Sequence, residues 1–230
     1  MNEFWESFLT DSLMSDDDGR RARASPAKPP GTWTPKSSEF SVRFPALETV
    51  LRRAFVSDVR LGREEFQLFS WRVGDVFSGW LSPLPSKKRN LALHLGHTIL
   101  LESFGGIAQY ANAPHGCWIL NQNSVLTEKD AQNDASFLQY YKWAFEEAGT
   151  SIPIAVKDFY VIAREANGNA TLCQRITGEV LLFAADHNFD FVVPYPGCPE
   201  YTLYHAVGAK VFNDWVNALA TQWLRKSDGA

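Results

Sequence analysis

Three side chains in the C-terminal third have the types that nucleophilic catalysis uses. Asp186 and His187 follow an apolar run, and Cys198 comes eleven residues after His187. A thiol, an imidazole and a carboxylate can form a proton relay if the fold brings them within hydrogen-bond reach. Gly197 and Pro199 flank Cys198 in a predicted turn, and the chain has no GxSxG, P-loop or GxGxxG motif. A small hydrolase using Cys198 and His187 is therefore kept only as an alternative.

The histidines offer little for metal binding. His94 and His97 are three residues apart and would lie on neighbouring faces of one helix, while the others are scattered along the chain, at His115, His187 and His205. The HExxH arrangement, which combines two zinc ligands with a general base, is absent. We therefore predict no metal and no cofactor.

A second group of residues has the chemistry of protein recognition. Three acids are interspersed with aromatic residues in one stretch, and five of these residues form the predicted binding set: Asp186, Asp190, Tyr195, Glu200 and Tyr201. Aromatic side chains supply contact area at an interface, and carboxylates orient and steer a basic partner. The alternative is that the aromatic residues belong to the core and the acids to a solvated edge.

Charge is distributed unevenly along the 230 residues, whose net charge is −4. Residues 1–94 have a balance of +2, whereas residues 95–230 contain 8 Lys and Arg against 14 Asp and Glu, a balance of −6. An acidic surface repels phosphate, so we expect no nucleic-acid binding there. The complementary partner is a basic protein.

Composition also indicates the cellular compartment in which the protein is expected. The three cysteines form no CxxC pair, and their odd number argues against a secreted disulfide framework. The first residues carry acids without the basic region of a signal peptide, and no run approaches the roughly 20 apolar residues that span a bilayer. We expect a cytoplasmic protein with no membrane contact.

The N-terminal residues predict a short amphipathic helix over 2–14, with Asn2 as its N-cap. Residues 15–40 are charged and Pro-rich, which is typical of a linker or mobile arm. The helix either folds back onto the domain or docks onto a partner, and both alternatives stay open. We expect this helix and linker to fill residues 1–40, and a single α+β domain to fill residues 41–230.

Apolar periodicity and turn signals predict the elements of that domain. The first half is expected to contain a helix at 47–61 closed by Gly62, a hairpin at 66–81, a helix at 88–104 ended by Gly105-Gly106, a strand at 117–120 and a helix from Thr127 to Gly149. Asp130 comes three residues after Thr127, as in a capping box.

The second half predicts strands joined by short turns. Three runs between 154 and 184 are separated by Asn167-Gly168 and Thr177-Gly178, and short strands near 191–193 and 202–204 precede an amphipathic helix at 211–224. Connections this short make an antiparallel meander, because parallel strands need crossovers of about a dozen residues. The expected fold is α+β, a twisted and mainly antiparallel sheet with flanking helices.

Several of these motifs, in this order, resemble the SUKH superfamily, particularly its bacterial immunity-protein branch. They are Gly105-Gly106-Ile107 after a helix, Asn167-Gly168-Asn169, the strand 177–183 with its Thr-Gly turn, and the stretches 183–190 and 197–204 followed by Trp215 in the closing helix. The resemblance covers residues 88–225, and residues 1–60 match nothing in that family.

The resemblance implies an α+β fold, no catalysis, and a surface that binds and neutralises a cognate bacterial toxin, often a nuclease or deaminase. The predicted toxin-binding residues are then Asp186, Asp190, Tyr195, Glu200 and Tyr201. The leading hypothesis is an immunity protein that acts by stoichiometric binding. Two alternatives are a non-enzymatic intracellular scaffold of the same fold, with residues 1–40 as a tether, and the hydrolase built on Cys198 and His187.

Overall fold

The computed structural model describes residues 2–12, 22–73, 75–86, 90–113, 122–186 and 189–228. The helices within these ranges are α1 (Glu3–Asp11), α2 (Ser38–Arg43), α3 (Pro45–Arg53), α4 (Leu95–Ser103), α5 (Glu128–Ala131), α6 (Lys142–Glu147) and α7 (Phe212–Asp228), with 3-10 helices at Ala135–Tyr141 and Val156–Asp158. The strands are β1 (Ala22–Ala24), β2 (Phe55–Leu61), β3 (Glu64–Val73), β4 (Val76–Pro83), β5 (Gln109–Ala111), β6 (Gln122–Val125), β7 (Phe159–Glu165), β8 (Ala170–Gln174), β9 (Val180–Phe183), β10 (Val192–Pro194) and β11 (Leu203–Ala206).

These strands form two antiparallel sheets. Sheet A has the order β1-β2-β3-β4-β5, and sheet B has the order β10-β11-β9-β8-β7-β6. The predicted α+β class with antiparallel strands and flanking helices is confirmed, and so are the 66–81 hairpin and the meander of β7, β8 and β9. Two sheets are present where one was expected, because the β3–β4 hairpin pairs with β2 and β5 and not with the strands of the meander.

The main core lies where the helices pack between the sheets. The predicted C-terminal helix is α7, and it buries Phe212, Trp215 and Trp223. The Trp223 ring lies 4.7 Å from the ring of Trp80 and 5.2 Å from that of Trp71, centroid to centroid, so α7 is held against sheet A by a cluster of three tryptophans.

The di-glycine joins the two sheets. Gly105 and Gly106 follow the end of α4, as predicted, and a Cβ on Gly105 would overlap the backbone carbonyl of Pro83 at the end of β4. Gly106 has φ +84°, and a Cβ there would lie 2.5 Å from the carbonyl carbon of Leu126. Immediately afterwards Ile107 exchanges backbone hydrogen bonds of 2.7 and 2.9 Å with Val125 of β6. Only glycine fits both positions.

The predicted helix at 47–61 is wrong in its second half. Helix α3 ends at Arg53, and Phe55–Leu61 forms β2, paired along its whole length with β3. Val56 and Val59 are buried whereas Asp58 and Arg60 are exposed, so the burial pattern is closer to a strand than to a helix. Because apolar residues continue at helical spacing from α3 into β2, the sequence pattern did not indicate the boundary between the helix and the strand.

The predicted helix from Thr127 to Gly149 is broken. Thr127 caps α5 as expected, since its Oγ1 accepts from the Asp130 backbone at 3.1 Å. The chain then leaves the helix at Asn133, and Asp134 starts a 3-10 helix by accepting from the Ser136 amide at 2.9 Å. Asp side chains compete with the backbone in this way. The helix predicted at 88–104 begins at Leu95, and the strand predicted at 117–120 lies outside the described residues.

The N-terminal segment packs against sheet A. Helix α1 is capped by Asn2 and buries Phe4, Trp5 and Phe8, so it folds back onto the domain. Parts of the linker are also held against the domain, because β1 pairs with β2 and Trp33 is buried in the main core. A domain boundary at residue 40 stays a prediction.

Candidate functional site

Four of the five predicted binding residues lie next to strands β10 and β11 of sheet B, and the fifth, Asp186, lies against the β7–β8 turn. Asp186, Asp190, Glu200 and Tyr201 are exposed, whereas Tyr195 is half-buried. Asp186 and Asp190 lie in the connection between β9 and β10, and Tyr195, Glu200 and Tyr201 lie in the loop between β10 and β11. The structure therefore places the acids of the set at the surface, with Asp186 against the β7–β8 turn and the other two next to β10 and β11.

Asp186 is positioned by the turn between β7 and β8. The amide Nδ2 of Asn167 donates to Asp186 Oδ2 at 2.6 Å. Gly168 next to it has φ +95°, which supplies the tight turn that the Asn-Gly pair predicted. The neighbouring backbone is tied down as well, because the Ala184 amide donates to the Thr202 carbonyl at 3.0 Å.

The β10–β11 loop presents Glu200 and Tyr201. Tyr201 has φ +61°, and its amide donates to the hydroxyl of the buried Tyr204. Thr202 Oγ1 donates to the Pro199 carbonyl at 2.6 Å. These bonds hold Tyr201, which is 46% exposed, in a backbone conformation that tyrosine seldom adopts.

Tyr195 supports the loop more than it contacts solvent. Its amide donates to the Leu203 carbonyl at 2.8 Å, and its ring lies 5.2 Å from the ring of His205. His205 Nε2 is 2.9 Å from Glu179 Oε1. Burial, and after it the charge of Glu179, raises the pKa of Tyr195. We place Tyr195 beneath the candidate surface.

Two exposed apolar residues on strand β10 and beside it lie outside the predicted binding set. Phe191 and Val193 are exposed, the latter by 43%. Strand β10 is an edge strand, but it offers no donor to an added strand, because the Val192 amide already donates to the Phe189 carbonyl at 3.3 Å and Pro194 has none. A partner would contact side chains here. We call Asp186, Asp190, Phe191, Val193, Glu200 and Tyr201 the edge surface.

An exposed aromatic pair was missed by sequence reasoning. Tyr140 and Trp143 are 84% and 57% exposed, on the outer side of the 3-10 helix and α6. Both fall off the apolar stripe that identified this segment, which runs through Phe137, Tyr141 and Phe145. Large aromatic side chains outside an apolar stripe were the available signal, since exposed Trp and Tyr are typical of interfaces.

The hydrolase alternative receives no support from Cys198. This thiol is half-buried, and its burial raises its pKa despite hydrogen bonds that oppose the shift, so little thiolate forms at neutral pH. His187 lies outside the described residues.

The other chemical groups are placed in structural roles. His94 caps α4 by accepting from the Gly96 amide at 3.2 Å, and His97 is fully buried. Among the described residues, no three His, Cys, Asp or Glu side chains converge as metal ligands. No described helix has the length and apolar character needed to cross a membrane.

Comparison with known proteins adds no relative. A scan against protein-family models and searches of curated proteins and solved structures find no match to this chain. Function is therefore inferred from the edge surface and from the sequence resemblance described above.

Proposed function

We propose that the protein is an immunity protein of SUKH type, which binds a cognate bacterial toxin and neutralises it stoichiometrically. The observation that carries this proposal is the edge surface, which combines the exposed acids Asp186, Asp190 and Glu200 with the exposed rings of Phe191 and Tyr201. Apolar anchors ringed by charges are the usual composition of a protein interface.

Charge complementarity supports a partner that acts on nucleic acid. Such an enzyme carries a basic groove, because its substrate is a polyanion. Three carboxylates on a fixed loop framework can occupy the phosphate positions of that groove, and the −6 balance of residues 95–230 would speed association with it. Inhibition then follows from covering the substrate site, and no catalytic group is needed.

One argument for the scaffold alternative does not hold. It relied on residues 1–40 as a free tether, whereas α1 and the segment around Trp33 are packed into the domain. Nothing in the geometry favours it over toxin binding.

The test uses a toxin encoded beside this gene. Co-expression should rescue growth of cells that make the toxin, and the purified proteins should bind in a 1:1 ratio. Replacing Asp186, Asp190 and Glu200 together by Lys should weaken binding by 100-fold or more, since losing one partner of a charge pair that the interface buries costs about 2–5 kcal/mol. The matched control reverses three exposed acids elsewhere, Glu65, Asp75 and Glu147, which changes the net charge by the same amount.

Failure of the immunity function and failure of the assigned binding surface give different results. A wild-type protein that neither binds nor rescues would refute the immunity function. Equal weakening by both triple variants would show that net charge, and not the edge surface, determines binding.

A further inference from the structure

A cleft with polar and apolar walls lies at the β6 edge of sheet B, the edge opposite β10. Its volume is about 1070 Å³, and residues of β6, α5 and β7 line one side while residues 63–66 of the β2–β3 hairpin line the other. Strands β6 and β10 are the opposite edges of a six-stranded sheet. At about 4.8 Å between neighbouring strands, the cleft is roughly 24 Å from β10.

Arg164 lines the cleft next to the buried carboxylate of Asp130. Asp130 is only 5% exposed, and it accepts from Ser124 Oγ at 2.9 Å and from Thr127 Oγ1 at 2.6 Å. The Nε of Arg164 lies 3.6 Å from Asp130 Oδ1. The rest of the Arg164 guanidinium has no hydrogen-bond partner among the described residues, although its side chain is only 39% exposed. A buried carboxylate thus orients a guanidinium whose remaining donors are available.

Two further cations line the same cleft. Arg63 and Lys129 are exposed, and neither forms an ion pair within the described part of the chain. Between the cations are apolar surfaces, contributed by Phe66, Leu84 and Leu101. The volume is in the range of small-molecule sites, which combine apolar walls with a few fixed polar groups.

We infer that this cleft binds a compact organic anion, with one phosphate or carboxylate head on Arg164 and an apolar body against Phe66 and Leu84. Arginine suits this role because its planar donors bind two oxygens of one head group. Four acids, Glu64, Glu65, Glu128 and Asp130, also line the cleft and would repel an extended polyanion, so a single charged group fits where a nucleic-acid strand does not.

The first experiment uses 8-anilinonaphthalene-1-sulfonate, a fluorescent anion with an apolar body, as the probe. The wild-type protein should bind it saturably with one site, and phenyl phosphate and phenylacetate should displace it. The stronger competitor identifies the preferred head group. Arg164→Gln should weaken probe binding by about tenfold or more, as loss of a charge-assisted hydrogen bond does. The matched control is Arg23→Gln, which removes an exposed arginine of β1 outside the cleft.

A second variant keeps the inference falsifiable if Arg164→Gln does not fold. Lys129→Gln changes an exposed side chain and should leave the far-ultraviolet circular dichroism unchanged while weakening the probe several-fold. Unchanged affinity in both variants, or no saturable binding by the wild type, would overturn the inference. Toxin binding should survive both substitutions, because neither Arg164 nor Lys129 belongs to the edge surface.

Discussion

The imidazole Nδ1 of His97 lies 3.1 Å from the hydroxyl of Tyr160, while the other ring nitrogen, Nε2, lies 3.0 Å from the carbonyl of Leu126. A carbonyl only accepts, so Nε2 carries the proton and Nδ1 accepts from Tyr160. All of this occurs at a fully buried position. One side chain of α4 thus ties together β7 and the chain that leaves β6.

Tyr160→Phe is expected to destabilise the protein by about 1–3 kcal/mol, because it leaves the Nδ1 acceptor of His97 buried without a donor. Urea unfolding followed by tryptophan fluorescence measures the loss. Tyr140→Phe is the control, since Tyr140 is 84% exposed and its hydroxyl faces water. Equal stability of the Tyr160→Phe variant and the wild type would show that the hydrogen bond makes no net contribution.

The His97 contact shows what the sequence could and could not predict. Local patterns were sufficient for the β7–β9 meander, for α7 and for the Thr127 cap, because each depends on neighbours in the chain. The partner of His97 is 63 residues away, and nothing local indicates it. The same holds for Arg164 and Asp130, which are 34 positions apart in the sequence and meet only across the β6–β7 pairing.

The candidate surface was partly predictable for the same reason. Acids in a loop stretch are expected at the surface, and Asp186, Asp190 and Glu200 are exposed. Aromatic residues are ambiguous, because either the core or an interface accepts them. Tyr195 is half-buried, whereas Tyr201, Trp143 and Tyr140 are exposed. This difference depends on tertiary packing, which the local sequence does not indicate.

Gly105→Ala is expected to be among the most damaging substitutions in the chain, at about 4 kcal/mol or more. The added Cβ would overlap the backbone carbonyl of Pro83, and a backbone atom cannot move aside as a flexible side chain can. Gly62→Ala is the comparison, since no atom lies within 4 Å of its Cβ position and only the positive φ of +61° disfavours alanine. That change should cost about 1 kcal/mol. Thermal unfolding of both variants measures the difference, and similar losses would contradict the close packing at the sheet junction.

Phe4→Ala should detach α1 before the rest of the domain unfolds. The Phe4 ring lies 4.7 Å from the rings of both Phe55 and Phe77, and a Phe-to-Ala change in a core costs about 3–5 kcal/mol. Because α1 is terminal, we expect this loss to appear as local opening. Hydrogen exchange of residues 3–11 should become faster, while β7–β9 stay protected. Glu6→Ala, an exposed position on the same helix, is the control. A uniform loss of protection would show that α1 and the domain unfold together.

Asp134→Ala should reduce stability in a pH-dependent way. Hydrogen bonds from Ser136, its side chain first and then its backbone, hold the pKa of Asp134 below the ordinary value of 3.8. A carboxyl whose pKa is lowered in the folded state stabilises the protein above its unfolded pKa, and that contribution is lost as the pH falls through the folded pKa. We expect a loss of about 1 kcal/mol at pH 7, typical of an N-cap, and a much smaller one near pH 2. Urea unfolding at both pH values measures it. An equal loss at both would assign the effect to packing.

Cys198 distinguishes the proposed binding function from catalysis. Burial raises the pKa of its thiol, so iodoacetamide should modify Cys198 much more slowly than free cysteine at pH 7.5, and the rate should rise at a higher pH than it does for free cysteine. Mass spectrometry of the peptide that contains Cys198 measures this rate.

Under the immunity proposal, Cys198→Ser should keep full toxin neutralisation, because the edge surface does not include the thiol. A hydrolase would behave in the opposite way, with rapid alkylation near neutral pH and loss of activity in the serine variant. Rapid modification at pH 7.5 would revive that alternative even if the toxin still bound.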